Sequence, residues 1–232
     1  MTTSIVHIEN IGEVTFHRNS RSRRIKISVK PDKSVFVSYP YRVSVKEASQ
    51  FLKKSETWIL RQRQKFNEKS TIFTEDSLIK TKLYTIHFLR GDNKNIEING
   101  NAVYLTLTDF DSDQSRTIIE NVLVKVYRTE AKQILPGRLK ELAVKHGFRY
   151  NNVTVRNNRS NWGSCSSKNN ISLNLHMMKL PYHLIDYILL HELVHTEIKN
   201  HSQRFWDRLN QITGFNARQM AKQVKQYSTY IF

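Results

Sequence analysis

The chain has 232 residues, 39% of them hydrophobic, and its 37 Lys and Arg against 20 Asp and Glu give a formal net charge of +17. This length fits one large domain or two small ones. No run approaches the roughly 20 apolar residues of a membrane-spanning helix. The single cysteine, Cys165, excludes an internal disulfide framework.

The start of the chain and its one cysteine predict the compartment. The first residues, MTTSIVHIENIGEV, lack the basic start and apolar core of a signal peptide. One cysteine fits a reducing environment, so we expect a cytoplasmic protein with no membrane partner. The charge favours an anionic partner, DNA or another polyanion, although a solvated basic surface explains it equally well.

The first part of the chain alternates between apolar and polar residues. Glu13 to Pro40 predicts three short antiparallel strands, with a turn at residues 31–34 between the second and the third. The first connection is basic, and it is either a solvated loop or a patch that contacts phosphate. Its cations are Arg18, Arg21, Arg23, Arg24 and Lys26.

A helix and a second group of strands follow. Ser44 and Glu47 form a capping-box pattern at the start of a helix that extends to Lys65. Alternation then returns from Ser77 to Leu107, with a hairpin turn at Asn99-Gly100. Residues 1–110 are therefore predicted to be a β-rich region with one helix.

The rest of the chain is predicted to be more helical. Thr117 to Lys145 has a long helical pattern that Pro136-Gly137 should kink or split. Short strands are expected at residues 153–155 and at Asn170 to Leu175, and a last helix from Phe215 to Tyr230. We therefore predict an α+β fold in which residues 111–232 form a second domain.

The pattern that points to chemistry is His191-Glu192-Leu193-Val194-His195. On a helix, residues i and i+4 lie one turn apart on the same face, so His191 and His195 can bind one metal ion. Glu192 lies about 100° round the helix, where a general base for a water molecule is needed. The preceding residues are apolar on nearly every face, which predicts a buried helix.

His201 is the predicted third ligand. It follows His195 by six residues, and Asn200 tolerates the left-handed conformation that often ends a helix. A turn at Asn200 would bring His201 back to the metal. Three protein ligands with one open position are typical of catalytic zinc sites rather than structural ones.

The motifs around this helix resemble a known family. HELVH, followed by NHSQRFW and preceded by WGSCS, ISLNL and LPYHLIDY, is similar to the YgjP-like branch of the SprT/Wss-type zinc metallopeptidases. The resemblance is strong from Val153 to Trp206. It implies a zincin-like domain with helices packed on a small sheet. It also implies that the strand at residues 170–175 exposes an edge to which an extended peptide can add.

The first hypothesis is accordingly a zinc peptidase that cleaves peptide or protein substrates. His191, His195 and His201 bind Zn²⁺, and Glu192 takes a proton from a water molecule and passes it to the leaving amine. The oxyanion donor stays open. Its candidates are Tyr187, Arg204 and the backbone near Gly163.

Other interpretations use the same residues differently. The chain can be a basic nucleic-acid-binding module whose metal site is structural or vestigial. It can also be a peptidase that acts on nucleic-acid-associated proteins, or a non-peptidase metal hydrolase. A metzincin is disfavoured, because Ile198 occupies the position that this pattern gives to glycine. Cys165 is expected to be a small buried residue rather than a nucleophile.

Overall fold

The structure, a computed structural model, describes residues 3–30, 33–68 and 73–229. Contacts divide the chain into two compact units, one within residues 3–68 and one within residues 73–229. Residues 73–110 therefore lie in the same unit as the candidate site, whereas the sequence pattern suggested a boundary at 110/111. The expected α+β composition is confirmed.

The first unit is a four-stranded sheet with two helices. Its strand order is β1-β2-β4-β3. The strands are β1 Thr3–Ile8, β2 Gly12–Arg18, β3 Lys26–Val29 and β4 Val35–Tyr39, and the helices are α1 Val45–Lys54 and α2 Glu56–Glu68. Val14, Phe16, Val35 and Val37 bury their side chains in a core that Leu52 of α1 completes.

Two expectations for this unit need correction. The three predicted strands are not all antiparallel, because β2 pairs with β4 in parallel while β3 pairs with β4 antiparallel. The predicted single helix is two helices that break at Ser55, whose hydroxyl donates to the carbonyl of Phe51. The predicted capping box at Ser44 and Glu47 is confirmed. Of the predicted turn, Pro31 and Asp32 lie outside the described residues.

The second unit begins with a sheet of the same topology as the first. Its strand order is β5-β6-β8-β7, and it again has one parallel pair at the centre and an antiparallel strand on each side. The strands are β5 Leu78–Lys80, β6 Thr85–Arg90, β7 Asn95–Asn99 and β8 Ala102–Leu107. The predicted hairpin is confirmed, with Gly100 in its turn at a φ of 58°.

A long helix follows this sheet. Helix α3 runs from Asp113 to His146 with Pro136 inside it, so of the two predicted effects, a kink or a split, the split does not occur. Gly147 ends it in the left-handed conformation. A bidentate ion pair joins α3 to the candidate metal helix, because Arg138 donates to both carboxylate oxygens of Asp186 at 2.8 and 2.7 Å.

A three-stranded sheet and three helices complete the second unit. The sheet has the order β10-β11-β9 and is followed by a short 3-10 helix at Leu175–Lys179. Its strands are β9 Asn152–Arg156, β10 Gly163–Cys165 and β11 Asn170–Asn174, and the helices are α4 Tyr182–Glu197, α5 Gln203–Thr213 and α6 Ala217–Val224. The last helix is shorter than predicted, and Tyr230 lies outside the described residues. Among the described residues, no helix combines the length and apolar character needed to cross a bilayer.

Candidate metal centre

Helix α4 places two of the predicted ligands side by side. Leu189, Leu193 and Val194 are fully buried, so apolar burial on several faces fixes this helix in the interior. His191 and His195 then lie one turn apart, with ring centroids separated by 4.8 Å. The two imidazoles lie next to each other on one side of the helix, as predicted.

The segment after α4 brings His201 to the same place. Helix α4 ends at Glu197, and Ile198 has an extended backbone with φ −124° and ψ 102°. The expected left-handed turn at Asn200 is absent, because Asn200 is not among the described residues with positive φ. The extended backbone at Ile198 redirects the chain instead. The Nε2 atom of His201 lies 3.1 Å from that of His191 and 3.2 Å from that of His195.

A buried phenylalanine supports all three imidazoles. Phe205 of α5 is fully buried, and its ring centroid lies 4.8, 4.6 and 4.8 Å from those of His191, His195 and His201. It stacks on His195 and meets the other two edge to face. Close packing against a rigid ring restricts the imidazole rotamers, so the apolar stripe of α5 holds the three rings in place.

The arrangement fits a divalent metal ion. The ligand atoms of the three histidines lie within 4.8 Å of one another. Tetrahedral nitrogen ligands at the usual zinc distance are about 3.3 to 3.4 Å apart, close to the two shorter separations of 3.1 and 3.2 Å. Structural packing alone does not explain why three ring nitrogens converge on one point.

Hydrogen bonding and burial favour the state that binds a metal. His195 donates its Nδ1 proton to the carbonyl of Ile198 at 2.9 Å, because that oxygen can only accept. In neutral His195 the Nε2 lone pair therefore faces the other rings. Burial, and then the proximity of His195 and His201, lowers the pKa of His191 to about 3. Burial also lowers the pKa of His195. Both shifts favour the neutral imidazole, which is the form that binds a metal.

Glu192 lies beside the histidines in an apolar setting. Its residue surface is 5% exposed, and its Oε2 atom is buried without a hydrogen-bond partner among the described residues. Burial raises the pKa of this carboxyl to about 8. A cation held by the neighbouring imidazoles would lower that pKa again. The carboxyl is thus placed to exchange a proton near neutral pH.

A cleft opens beside Glu192 and His191. It has a volume of about 560 Å³. Its lining includes Trp162, Gly163, Tyr187 and Ile188, together with Ala221, Val224, Lys225 and Tyr227 from α6 and the residues after it. The contribution of α6 and the residues after it was not predicted, since nothing in their sequence links them to a helix thirty positions earlier.

Comparison with known proteins agrees with this geometry. The family model for the YgjP-like metallopeptidase domain matches residues 23–227. The chain belongs to the YgjP-like metallopeptidase family. Among curated proteins, none matches the chain.

Two solved structures resemble part of this YgjP-like protein. The metallopeptidase zymogen abylysin of Pyrococcus abyssi is 21% identical, has a TM-score of 0.37, and the match covers 40% of this chain and 93% of that one. The metallopeptidase zymogen jannalysin of Methanocaldococcus jannaschii is 22% identical, with a TM-score of 0.35 and coverage of 40% and 94%.

The three candidate oxyanion donors of the YgjP-like domain do not all lie in the same cleft. Tyr187 and Gly163 line the cleft with Glu192, and the Tyr187 hydroxyl is buried without a partner among the described residues. Arg204 instead lines a different depression, together with Glu197 and acidic Asp207. The positions therefore favour Tyr187 and the backbone at Gly163 over Arg204.

Two further histidines and the cysteine are not part of the three-histidine group. His176 is buried, and one of its ring nitrogens is 2.9 Å from Oδ1 of Asn157. His183 is exposed near the start of α4. Burial raises the pKa of the Cys165 thiol, which is not the setting of an activated nucleophile. Cys165 is half-buried rather than buried, and Lys199 lies beside it.

The sequence predicted a free edge on strand β11, but the edge strand beside Glu192 is β10. Strand β11 is paired on both sides, antiparallel with β10 and parallel with β9, so it cannot accept another strand. Strand β10 pairs with β11 on one side only, among the described residues, and it contains Gly163 next to Glu192. Strand β10 was not predicted, because three residues of Gly, Ser and Cys give no alternation signal.

Proposed function

We propose that this protein is a zinc-dependent peptidase in which His191, His195 and His201 hold the metal and Glu192 is the general base. The observation that carries the proposal is the convergence of three imidazole nitrogens beside one buried carboxyl. Nitrogen ligands in a set of three, with one open position, suit catalytic Zn²⁺. Family membership supports hydrolysis of peptide bonds.

The proposed roles follow from the positions of the side chains. When bound, the divalent ion supplies Lewis acidity that acidifies water and polarises a carbonyl group. Glu192 accepts the proton of the attacking water and then donates it to the leaving amine. The Tyr187 hydroxyl, which has no partner among the described residues, donates to the oxygen that becomes negative.

The substrate backbone is proposed to pair with β10. That strand has a free edge beside Glu192, and an extended peptide added there would meet main-chain donors and acceptors. The apolar wall formed by Trp162, Ile188 and Val224 would then receive a substrate side chain. On this proposal the cleft and the edge of β10 both bind the substrate, and both lie beside the carboxyl group of Glu192.

An association with nucleic acid is proposed as a second property, in line with the SprT/Wss resemblance. The 37 Lys and Arg outnumber the 20 Asp and Glu, so a net charge of +17 has no acidic side chains to balance it. An uncompensated basic surface attracts polyanions with a steep salt dependence. On this proposal the peptidase acts on proteins bound to nucleic acid in the cytoplasm, a location that the single Cys165 favours.

The decisive experiment compares wild type with Glu192→Gln. Zinc content is measured by plasma mass spectrometry, and cleavage of a denatured protein substrate is followed by mass spectrometry of the products. We expect one zinc per chain in both proteins and a loss of about 10² to 10⁴-fold in cleavage rate for the variant. Retained cleavage in the variant would refute the role of Glu192.

Two further outcomes would select an alternative function. Zinc binding without any peptide cleavage, together with release of phosphate from phosphoester substrates, would indicate a non-peptidase metal hydrolase. Salt-dependent binding of DNA by a protein that neither binds zinc nor cleaves peptides would indicate a nucleic-acid-binding module.

A further inference from the structure

Strand β7 of the second unit has exposed apolar side chains on the face of the sheet that elsewhere forms the core. Ile96 and Ile98 of β7 lie opposite Leu105 and Val103 of β8. Cross-strand partners share a face of a sheet, and Val103 and Leu105 are buried. Ile96 and Ile98 therefore belong to the core face, yet they are 39% and 69% exposed.

The first unit shows what covers the same position in a sheet of identical topology. There β3 occupies the place of β7, and its Ile27 and Val29 lie opposite Val37 and Val35. Both side chains are partly buried and pack on the core of that unit. Helix α2 lies against β3 and contributes the fully buried Ile59.

The difference between the two units comes from the helix that follows each sheet. In the first unit the helix breaks at Ser55, and the second segment, α2, lies against β3. In the second unit α3 continues without a break to His146. The described part of that unit therefore has no counterpart of α2 over β7, and the space beside α3 is a groove.

The groove has an apolar floor and a basic rim. Its volume is about 570 Å³. Ile96, Ile118, Val122 and Val124 are its apolar lining residues, and Lys94, Lys125 and Arg128 are its charged ones. Among the described residues, no acidic side chain lines it, and the ion pairs include none of these three cations.

We propose that this groove between β7 and α3 binds an amphipathic helix with acidic flanks, supplied by a partner protein, in the place that α2 occupies over β3. The apolar face of such a helix would cover Ile96 and Ile98. Its carboxylates would meet Lys94, Lys125 and Arg128, which fixes the sign of the partner's charge. The site is separate from Glu192 and does not depend on the peptidase chemistry.

The apolar floor favours a helix over nucleic acid as the occupant. A phosphodiester backbone would neutralise the three cations but leave Ile96 and Ile118 uncovered. The part of the chain that the structure describes also contributes no aromatic side chain to the groove on which a base could stack. A second copy of this chain is disfavoured because its net charge of +17 opposes association at a basic rim.

The test uses the 232-residue chain and a designed 18-residue fluorescent peptide. The peptide carries Leu at helical spacing on one face and Glu on both flanks, and a matched peptide carries Lys in place of Glu. Binding is measured by fluorescence anisotropy. We expect the Glu peptide to bind at least tenfold more tightly than the Lys peptide, and Ile96→Asp to weaken its binding at least tenfold.

Two further variants show whether the peptide binds in this groove or whether any exposed apolar or basic residue affects its binding. Leu78→Asp changes an exposed apolar residue on β5, at the other edge of the same sheet, and should leave binding unchanged. The double variant Lys125→Glu/Arg128→Glu should reverse the preference and bind the Lys peptide better. Thermal unfolding of each variant shows whether it is folded.

Several results would overturn the proposal. These are no binding of the Glu peptide by wild type, equal binding of both peptides, or unchanged binding in Ile96→Asp. Binding of an oligonucleotide that depends on Lys125 and Arg128 but not on Ile96 would assign the groove to nucleic acid. A dimer in sedimentation equilibrium that Ile96→Asp abolishes would assign it to a second copy.

Discussion

The carboxyl group of Glu192 lies against the α-carbon of Gly163. A Cβ atom added at position 163 would lie 2.7 Å from Oε1 and 2.9 Å from Cδ of Glu192. Real Cβ atoms do not approach so closely, so the glycine makes room for the carboxyl. The first strand residue of β10 and the candidate base of α4 thus fix each other's position.

Replacing this glycine should impair catalysis more than folding. In Gly163→Ala the new methyl group displaces the Glu192 side chain, and a shift of about 1 Å at a catalytic group can cost on the order of 10²-fold in rate. We expect kcat to fall by about that factor while zinc content is unchanged. Steady-state kinetics and plasma mass spectrometry measure the two quantities.

The matched control is Gly137→Ala in α3. An added Cβ there meets nothing within 4 Å, and alanine is favoured over glycine in a helix by roughly 0.5–1 kcal/mol. This variant should be as active as wild type and slightly more stable. Equal activity of the two alanine variants would show that Gly163 does not position Glu192.

Loss of the proposed third ligand should weaken metal binding. His201→Ala leaves His191 and His195 to bind the metal. Loss of a residue that only orients a metal ligand already lowers metal affinity by about 10- to 100-fold. We therefore expect zinc affinity to fall by more than about 10²-fold. Competition with a chromophoric chelator measures the affinity. His183→Ala, which removes an exposed histidine of the same helix, should bind zinc as wild type does.

His176 should make the stability of the protein depend on pH. One nitrogen of its ring pairs with Asn157, and the other is buried without a partner among the described residues. Burial, and then nearby Lys179, lowers the pKa of His176 to about 4. A lowered histidine pKa means that the unfolded chain binds the proton first. Stability is therefore lost as the pH falls from about 6.5 to about 4.

Urea unfolding across that pH range measures this effect. The free energy of unfolding should decline less steeply in His176→Gln than in wild type, because glutamine cannot take up the proton. His183→Gln serves as the control and should keep the wild-type slope. Identical slopes in wild type and His176→Gln would exclude His176 as the source.

Asn174 should act as a positioning residue for the cleft. Its buried side chain donates to the carbonyls of Asn158 and Asn161 at 2.7 and 2.8 Å and accepts from the amide of His176 at 3.1 Å. Asn174→Ala leaves these groups unpaired, which we expect to cost about 2–3 kcal/mol of stability.

The same variant should lower activity through the loop that precedes Gly163. We expect kcat to fall while zinc affinity stays close to wild type, because the histidines are held by other elements. Asn95→Ala, at an exposed position of β7, is the control for stability and activity. A loss of stability in Asn174→Ala without any change in kcat would mean that the network is structural only.

Some elements were predicted well because their signals are local. The capping box at Ser44 and the hairpin at Asn99-Gly100 depend on residues within four positions of each other. The parallel pairing of β2 with β4 was missed, because strand partners and their direction depend on segments far apart in sequence. The break at Ser55 was also missed, since no Gly or Pro marks it.

The sequence by itself determined the relation of His191, Glu192 and His195. All three lie on one helix, whose hydrogen bonds fix their spacing and angular positions without help from the rest of the chain. Only the tertiary structure decided how His201 reaches them, that Phe205 supports all three rings, and that Gly163 makes room for Glu192. These contacts join elements that are separate in sequence, so they arise from the packing of side chains in the folded core.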